Sequence, residues 1–477
     1  MVPVTQANSF GEIRLEGQGS TLTINQVVQI SVSEIKTRKL NPQSPYLGLR
    51  RFDSAYQHVF FGRDQLVAQL VQLLPLRSLV LLAGASGSGK SSVVRAGLIP
   101  QLAARLPGGR FRALTFVPDR DPFDALRACL LGAGFSQREA EVARPVSADT
   151  LLRVCEELRP PDEQWLIFID QLEEIFTLCG DVALRTAFLD GLVRLAESAP
   201  PAVRIVLTMR ADFFDHFGPY PQLGQLIPPG LILIGDLHAD ELRQVIEQPA
   251  AHHGVVFESG LVEEIIQDIQ GRAGTLPLLA YTLDVLWTTD NPVDDRTLNT
   301  NSYRRLGGVR GALSERADAL YDFQRSAKGV PRPAQDQEAL RRIFLRLIDL
   351  TASEGHARAV SKRARQSEFS PPAEQRLISE LVNEKLLVTN HNAGDATVEI
   401  AHEALLTGWP RLATWIAEGR EAIYVRNRLS SDAHSWARAL TAVTDPAAGT
   451  ERAEDELWSG SRLQQALELR ERGDFLT

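Results

Sequence analysis

Lys90 follows a run of small residues whose spacing suits phosphate chemistry. The stretch from Gly84 to Ser91 reads G-x-x-x-x-G-K-S, after an apolar run at 79–82 and before a helical pattern. Closely spaced backbone N–H groups bind phosphates where side chains are small, and the positive end of the following helix adds to the attraction. We therefore predict a phosphate loop in which Lys90 reaches the β- and γ-phosphates and the Ser91 hydroxyl binds Mg²⁺. The residues expected to contact the ligand are Gly84, Ser86, Gly87, Ser88, Gly89, Lys90, Ser91 and Ser92.

Asp170 is a second candidate for metal chemistry. It ends the apolar stretch 165–169, which is typical of a buried strand in a parallel sheet, and such sheets bind ligands at their carboxyl ends. Asp170 is therefore expected to hold the Mg²⁺ shell. Glu173 and Glu174 begin the next helical segment, and either could orient a hydrolytic water. The alternative is that these two acids only stabilise the start of that helix.

Two further groups flank this candidate site in sequence. Arg210 ends the apolar stretch 203–210, where it could reach a γ-phosphate, although an arginine after a strand also commonly forms a surface ion pair. Phe61, Gly62 and Arg63 form an aromatic and Gly-Arg turn before the phosphate loop. This turn could cover an adenine ring or lie buried under the first helix, and spacing alone leaves both interpretations open.

The elements that position these residues alternate between strands and helices. This alternation predicts an α/β fold with a parallel sheet, whose strands are expected at 79–82, 111–117, 165–169, 203–210 and 231–236. From Asp240 the apolar spacing becomes helical, and helices with a hairpin over 336–400 fit a winged helix. The domains expected are a β segment with a linker (1–43), a P-loop nucleotide-binding domain (44–236), a helical lid (237–332), a winged helix (333–404) and a C-terminal helical region (405–477).

The first 43 residues differ in pattern from the rest of the chain. Apolar residues alternate with polar ones on both sides of Gln18-Gly19-Ser20 and again at Val28, Ile30 and Val32, which predicts a hairpin plus a third strand. A piece of this size holds no core of its own. It is either an appendage on the next domain or a β segment that pairs with copies in other subunits.

Composition limits the classes of function. The chain has 477 residues, 44% hydrophobic and 23% charged, with a net charge of −9, which is typical of a globular protein and argues against general nucleic-acid coating. A basic run from Arg358 to Arg365 is either a solvated edge or a nucleic-acid contact. The apolar runs fall short of the ~18 residues of a membrane helix. Three cysteines, at spacings that fit neither metal sites nor a disulfide framework, favour the cytoplasm.

Beyond single motifs, several stretches in fixed order resemble a known family. The chain is similar to the bacterial STAND-class P-loop NTPases of the type called novel STAND NTPase, type one, over about residues 45 to 430. The stretches that carry the resemblance are PYLGLRRFDSAYQHVFFGRDQL, GASGSGKSSVVRAGLIPQL, WLIFIDQLEEIFT, VLTMRADFF, GTLPLLAYTLDVLW and AHEALLTGWPRLATWI.

This resemblance implies an AAA-like nucleotide-binding domain, a helical lid, a winged helix and a nucleotide-controlled switch. The ADP-bound form would be closed and monomeric, whereas ATP exchange would allow a homo-oligomer to form. Mg²⁺ with ATP or ADP is the implied cofactor. The matching residues are Phe61, Gly62 and Arg63 on the adenine side, Gly84, Gly89, Lys90 and Ser91 in the loop, Asp170 for Mg²⁺, Arg210 as sensor arginine, Pro277 in the lid near the base, and His402 on the β-phosphate of ADP.

One departure concerns the residue after Asp170. Fast AAA ATPases commonly carry glutamate there, whereas this chain has Gln171, which predicts slow turnover and leaves the water-activating residue open between Glu173 and Glu174. The leading hypothesis is a signalling switch in bacterial defence or regulated cell death. Its effector or sensor would lie in other chains or in a further C-terminal region. The alternatives are a DNA-directed AAA-type ATPase that uses the winged helix, and a scaffold that binds nucleotide without hydrolysing it.

Overall fold

The structure is a computed structural model of the chain. Contacts divide the chain into two units, one up to Val309 and one from Arg310 onward, and each is described by itself. The described residues are 6–17, 20–50, 52–106, 110–144, 146–198, 202–271, 274–324, 329–353, 356–369, 371–384, 386–392, 395–401, 404–441 and 463–468.

The described strands and helices follow the order expected of an α/β domain with helical elements after it. The strands are β1 Gln6–Gly17, β2 Ser20–Ser31, β3 Leu79–Gly84, β4 Phe111–Phe116, β5 Gln164–Ile169, β6 Val203–Arg210, β7 Leu231–Ile234, β8 Val256–Phe257, β9 Thr297–Leu298, β10 Ile348–Ser353, β11 His356–Ser361, β12 Ala364–Arg365, β13 Leu387–Asn392 and β14 Asp395–Ile400. The α-helices are α1 Val32–Thr37, α2 Asp64–Leu73, α3 Lys90–Ser92, α4 Ile99–Arg105, α5 Pro122–Gly132, α6 Gln137–Ala140, α7 Thr150–Leu158, α8 Glu174–Thr177, α9 Val182–Ser198, α10 Pro221–Leu226, α11 Ala239–His252, α12 Leu261–Ile269, α13 Leu276–Asp290, α14 Thr300–Arg305, α15 Gly308–Asp322, α16 Ala334–Arg346, α17 Pro372–Asn383, α18 Ala404–Gly408 and α19 Pro410–Thr441. A π-helical segment, Val93–Leu98, joins α3 to α4. Across the described part of the chain, no helix has both the length and the apolar character needed to cross a lipid bilayer.

A five-stranded parallel sheet organises the first unit, as the alternation of strands and helices predicts. Its order is β4-β5-β6-β3-β7, so β3, which leads into the phosphate loop, lies between β6 and β7. In register, Gly84 at the end of β3 pairs with Arg210 of β6 and Ile234 of β7. The carboxyl ends of these three strands therefore meet at one edge.

Alternate residues along the strands lie in two different hydrophobic cores. Val80 and Leu82 lie in the cluster that α2 and the π-helical segment cover, whereas Leu79 and Leu81 lie in the cluster that α5, α7 and α9 cover. Helices on both faces explain why the strands are nearly continuous apolar runs. The sheet is rigidly held as a result, which fixes the positions of the loops at its carboxyl edge.

The N-terminal residues form two strands rather than three. β1 and β2 pair as one antiparallel hairpin, and the predicted third strand at Val28–Val32 is wrong. β2 continues without interruption to Ser31, and a helix then begins where the Ser31 hydroxyl accepts a hydrogen bond from Glu34 N at 3.2 Å. In that helix, α1, Ile35 is fully buried in a cluster with Ala251 and Val256.

The segment after α1 is held against the helices that come after the sheet. Trp287 Nε1 donates to the Pro42 carbonyl at 3.1 Å, and the Tyr46 hydroxyl donates to the Ile246 carbonyl. Arg296 Nη1 donates to the Arg38 carbonyl at 2.8 Å. The expected linker is thus packed along the helical region that includes α11 and α13.

The second unit contains the helices and the hairpin expected near residues 336–400. Helices α16 and α17 are followed by the antiparallel pair β13–β14, and a further hairpin, β10–β11, was not expected. Arg363 in the basic run is half-buried and pairs with Glu399 (Nε–Oε2 3.2 Å). The winged helix and the five domain bounds stay predictions.

Candidate nucleotide-binding site

The loop between β3 and α3 has the backbone that a phosphate chain requires. Gly87 and Gly89 have φ values of 75° and 89°, in a region that favours glycine. A Cβ on Gly89 would meet nothing within 4 Å, so the loop is open at that point. The Ser88 hydroxyl is buried and has no hydrogen-bond partner among the described residues. A buried, unpaired donor beside an open glycine loop fits a bound anion, so the residues present suit the phosphates of a nucleotide.

Lys90 begins α3 at the end of the loop and is mostly buried. Its Nζ donates to the carbonyl oxygens of Gly84 at 3.0 Å and Ala85 at 2.7 Å. Burial lowers the pKa of Lys90 most, while the negative charge of Glu173 raises it and the positive charge of Arg210 lowers it. The side chains predicted from three separate stretches of sequence therefore lie within electrostatic range of each other.

Asp170 is the most buried acidic side chain of the site. Its Oδ1 accepts hydrogen bonds from the hydroxyls of Ser91 and Thr208, both at 2.6 Å. Ser91 follows Lys90 in α3, and Ser92 completes that helix. A serine hydroxyl beside a carboxylate supplies the oxygen ligands that Mg²⁺ prefers, so the two predicted metal residues lie together and fit the ion. Thr208 was not predicted, although its place in β6 two residues before Arg210 was a usable signal.

Arg95 also contacts Asp170, and it was not among the residues predicted for the site. Its guanidinium donates to Asp170 Oδ2 from Nη2 at 3.1 Å and from Nε at 3.3 Å. Arg95 lies four residues after Ser91, so helical spacing places both on the side that faces Asp170. The ion pair supplies a positive charge to a carboxylate with 1% exposure.

The two glutamates that the sequence left equivalent occupy different environments. Glu173 is buried, and its Oε2 accepts a hydrogen bond from Arg210 N at 3.2 Å. Burial raises the pKa of Glu173 to about 7, and hydrogen bonds and the charges of Lys90 and Arg210 oppose that rise. Glu174 begins α8 and is half-buried. Of the two, Glu173 is the carboxyl group that lies beside the loop lysine.

Arg210 and Gln171 are both constrained beside Asp170. The Arg210 guanidinium donates to Asp212 from Nε at 3.1 Å and from Nη2 at 2.7 Å, a bidentate pair. Gln171 has φ of 55°, unusual for a residue with a side chain, and its buried Oε1 has no partner among the described residues. Its backbone N donates to the Thr208 hydroxyl at 3.0 Å.

The residues expected on the adenine side connect the loop to the helical region. Arg63 Nη2 donates to the carbonyls of Ser88 at 3.2 Å and Gly235 at 2.8 Å. A Cβ on Gly62 would lie 2.7 Å from the carbonyl oxygen of Glu241 in α11, so this close approach requires glycine. Phe61, which precedes it, is half-buried.

The start of α13 lies next to the phosphate loop. Pro277 is the second residue of this helix and is half-buried. A Cβ on Gly274 would lie 3.2 Å from the Ser86 carbonyl oxygen, so the backbone before α13 lies close to the loop. His402, expected on the β-phosphate, lies outside the described residues.

Together, the parallel sheet, the glycine loop at its carboxyl edge and the paired Ser91 and Asp170 define a P-loop NTPase. Its sequence matches the family described as Novel STAND NTPase 1 over residues 45–442. The chain belongs to this family, which confirms the resemblance found in its motifs and indicates a nucleotide-binding ATPase.

Several solved structures are similar at low identity. The ORC1 protein of Aeropyrum pernix in complex with DNA has a TM-score of 0.42 and 15% identity, over 76% of this chain and 94% of that one. A Walker-type ATPase of Pyrococcus abyssi has a TM-score of 0.40 and 16% identity, over 76% of this chain and 98% of that one. Cdc6p from Pyrobaculum aerophilum has a TM-score of 0.36 and 16% identity, over 75% and 94%. Curated protein sequences give no significant match.

Proposed function

We propose that this chain is a signalling switch that binds ATP or ADP with Mg²⁺, hydrolyses ATP slowly and forms homo-oligomers under nucleotide control. The proposal depends chiefly on one observation. Lys90, Asp170, Glu173 and Arg210 come from three strand ends and converge around the phosphate loop. Such a convergence offers both a binding site and a means to distinguish one phosphate chain from another.

Each side chain has a defined part in this proposal. Lys90 and the loop backbone bind the phosphates, and Ser91 and Asp170 hold Mg²⁺. The bound metal neutralises phosphate charge. Glu173 accepts a proton from the attacking water, because its pKa of about 7 leaves a substantial fraction ionised at neutral pH. The absence of a glutamate directly after Asp170 is consistent with slow hydrolysis.

The switch in this proposal works through the contact between loop and helical region. The backbone at Gly274, just before α13, lies close to the Ser86 carbonyl of the loop, so phosphates bound in the loop would lie beside the proposed lid. A ligand shifts two conformations only by its differential affinity, and reversing a 1:99 population takes about 5.5 kcal/mol. A few hydrogen bonds to charged groups, at about 1.5–3 kcal/mol each, are enough to supply this free energy. A γ-phosphate would compete with Asp212 for Arg210, and by family resemblance His402 would contact ADP.

The first experiment identifies the nucleotide that the purified protein retains and measures the mass by light scattering after exchange into ATP or ADP. We expect retained ADP, a monomer in ADP and a larger assembly in ATP. Lys90→Ala should abolish retention, because the loop then lacks its positive charge. Retention at the wild-type level in this variant would contradict the proposed binding site.

His402→Ala tests the switch itself. We expect ADP to dissociate faster and assembly to increase, because the closed state loses a phosphate contact. An unchanged ADP off-rate together with a strictly monomeric mass in ATP would contradict this part.

A turnover assay separates the switch from the non-hydrolysing scaffold. Glu173→Gln should lower ATP hydrolysis by about 10²–10⁴-fold and keep nucleotide binding. Glu174→Gln, the matched control, should hydrolyse ATP at the wild-type rate. If the wild type itself shows no turnover, the scaffold is the better description.

The physiological role proposed is bacterial defence or regulated signalling in the cytoplasm, with an effector or sensor in other chains or in a further C-terminal region. This part rests on the family resemblance. DNA binding is the less favoured alternative, because the net charge is −9 and Arg363 of the basic run is already engaged in an ion pair with Glu399. The proposed signalling role is tested by mass spectrometry of the proteins that co-purify with the chain in the ATP state.

A further inference from the structure

Arg95 and Asp170 form an ion pair inside the proposed nucleotide site. Both guanidinium contacts go to Oδ2, at 3.1 Å and 3.3 Å. The guanidinium carbon also lies 5.4 Å from the centre of the Phe168 ring. The arginine is thus held between an aromatic ring in β5 and the carboxylate one residue beyond that strand.

The other oxygen of Asp170 is also fully engaged. Oδ1 accepts the hydroxyls of Ser91 and Thr208. Both oxygens are hydrogen-bonded and 1% of the residue is exposed, so the hydrogen-bonding needs of Asp170 are met by protein groups alone. Among the described residues its one ion pair is with Arg95.

We infer that Arg95 is a positioning residue that holds Asp170 in the metal-free state and competes with Mg²⁺ for it. The guanidinium places positive charge about 3 Å from the carboxylate that would bind the cation, which lowers the attraction available to Mg²⁺. Mg²⁺ binding must weaken the contact with Arg95 or share the carboxylate with it. The site is thereby biased toward weak, reversible metal binding. This inference rests on the proposed function.

The test measures how Mg²⁺ changes the affinity of the full chain for a fluorescent ADP analogue, from chelated levels to the millimolar range. In Arg95→Gln, the Mg²⁺ concentration that gives half of the effect should fall on the order of tenfold, because a charge-assisted contact no longer opposes the cation. The matched control is Arg127→Gln. Arg127 has a similarly exposed side chain (21% against 25%) and an ion pair on α5 outside the site, and its midpoint should equal that of the wild type.

A second readout needs no nucleotide. Without metal, Arg95→Gln should melt at a lower temperature than the wild type, because Asp170 loses its counter-charge. Adding Mg²⁺ alone should then raise the melting temperature of Arg95→Gln by more than it raises that of the wild type. Arg95→Lys decides the matter if the glutamine variant does not fold. Lysine keeps the charge but not the two-nitrogen contact, so its Mg²⁺ midpoint should lie below that of the wild type by a smaller factor.

The outcomes separate this inference from the proposed function. A midpoint in Arg95→Gln or Arg95→Lys that equals or exceeds the wild-type value, with ADP binding intact, overturns the role of Arg95 alone. The same holds if Mg²⁺ has no effect on any of the proteins. If the wild type does not bind the ADP analogue at any Mg²⁺ concentration, the proposed function is overturned and this inference with it.

Discussion

Replacing Glu173 with glutamine tests whether this carboxyl group is buried beside the phosphate loop. Burial raises its pKa from the ordinary value of 4.5 to about 7. Each unit of pKa corresponds to about 1.4 kcal/mol, so ionisation of Glu173 destabilises the fold by about 3 kcal/mol. Because the folded-state pKa is the higher one, the stability from this group is fully present below pH 4.5 and is lost as pH rises through about 7. Glutamine has no such dependence.

The assay is urea unfolding of the nucleotide-free protein at a series of pH values. Glu173→Gln and the wild type should have similar stability near pH 4.5, and the variant should be more stable by up to about 3 kcal/mol above neutral pH. Glu174→Gln controls for loss of a neighbouring carboxylate and should not reproduce this rise. A stability difference that is constant over this pH range would refute the burial of the Glu173 carboxyl group beside the phosphate loop.

Three further changes test the packing around the site, each by urea unfolding against the wild type. Gly84→Ala would place a Cβ 2.4 Å from the Ile234 carbonyl oxygen and should lower the free energy of unfolding by about 1–3 kcal/mol. The control is Gly132→Ala, whose Cβ would meet nothing within 4 Å and which should change stability by well under that amount. Equal effects of the two substitutions would contradict the close approach at Gly84. Gln171→Gly should stabilise the protein by about 1 kcal/mol, since glycine adopts the φ of 55° without strain, and a loss of stability would show that the glutamine side chain is needed for the fold. Ile35→Ala should destabilise it by about 2–5 kcal/mol, because this side chain is fully buried, and a change below 1 kcal/mol, like that expected of an exposed site, would show that α1 is not docked.

Local sequence patterns were sufficient to predict those features whose signal lies within a few residues of the chain. The glycine loop before Lys90 follows from spacing, because the backbone of a phosphate loop depends on small residues in sequence. The five strands of the parallel sheet follow from their largely apolar sequences, since helices cover both faces of the sheet. The third N-terminal strand was wrong for an equally local reason, because alternation alone does not register the Ser31 cap that begins α1.

Local sequence patterns could not predict the contacts between residues that are distant in the sequence. Glu173 and Glu174 are neighbours in the sequence, yet only the fold places one of them against Arg210 N. Asp212 engages the arginine that was expected to be available for a phosphate. These outcomes depend on which side chains the fold brings together.

The sequence by itself therefore determined the phosphate loop, the strand order along the chain, the family and several candidate residues that the fold then brings together, because these depend on spacing and local periodicity. Only the tertiary structure decided the electrostatics of that site. It placed Arg95 on Asp170 across 75 residues of chain and desolvated Glu173 beside Lys90. The physical reason is that charge interactions depend on distance and burial in space, which the register of β3, β5 and β6 sets.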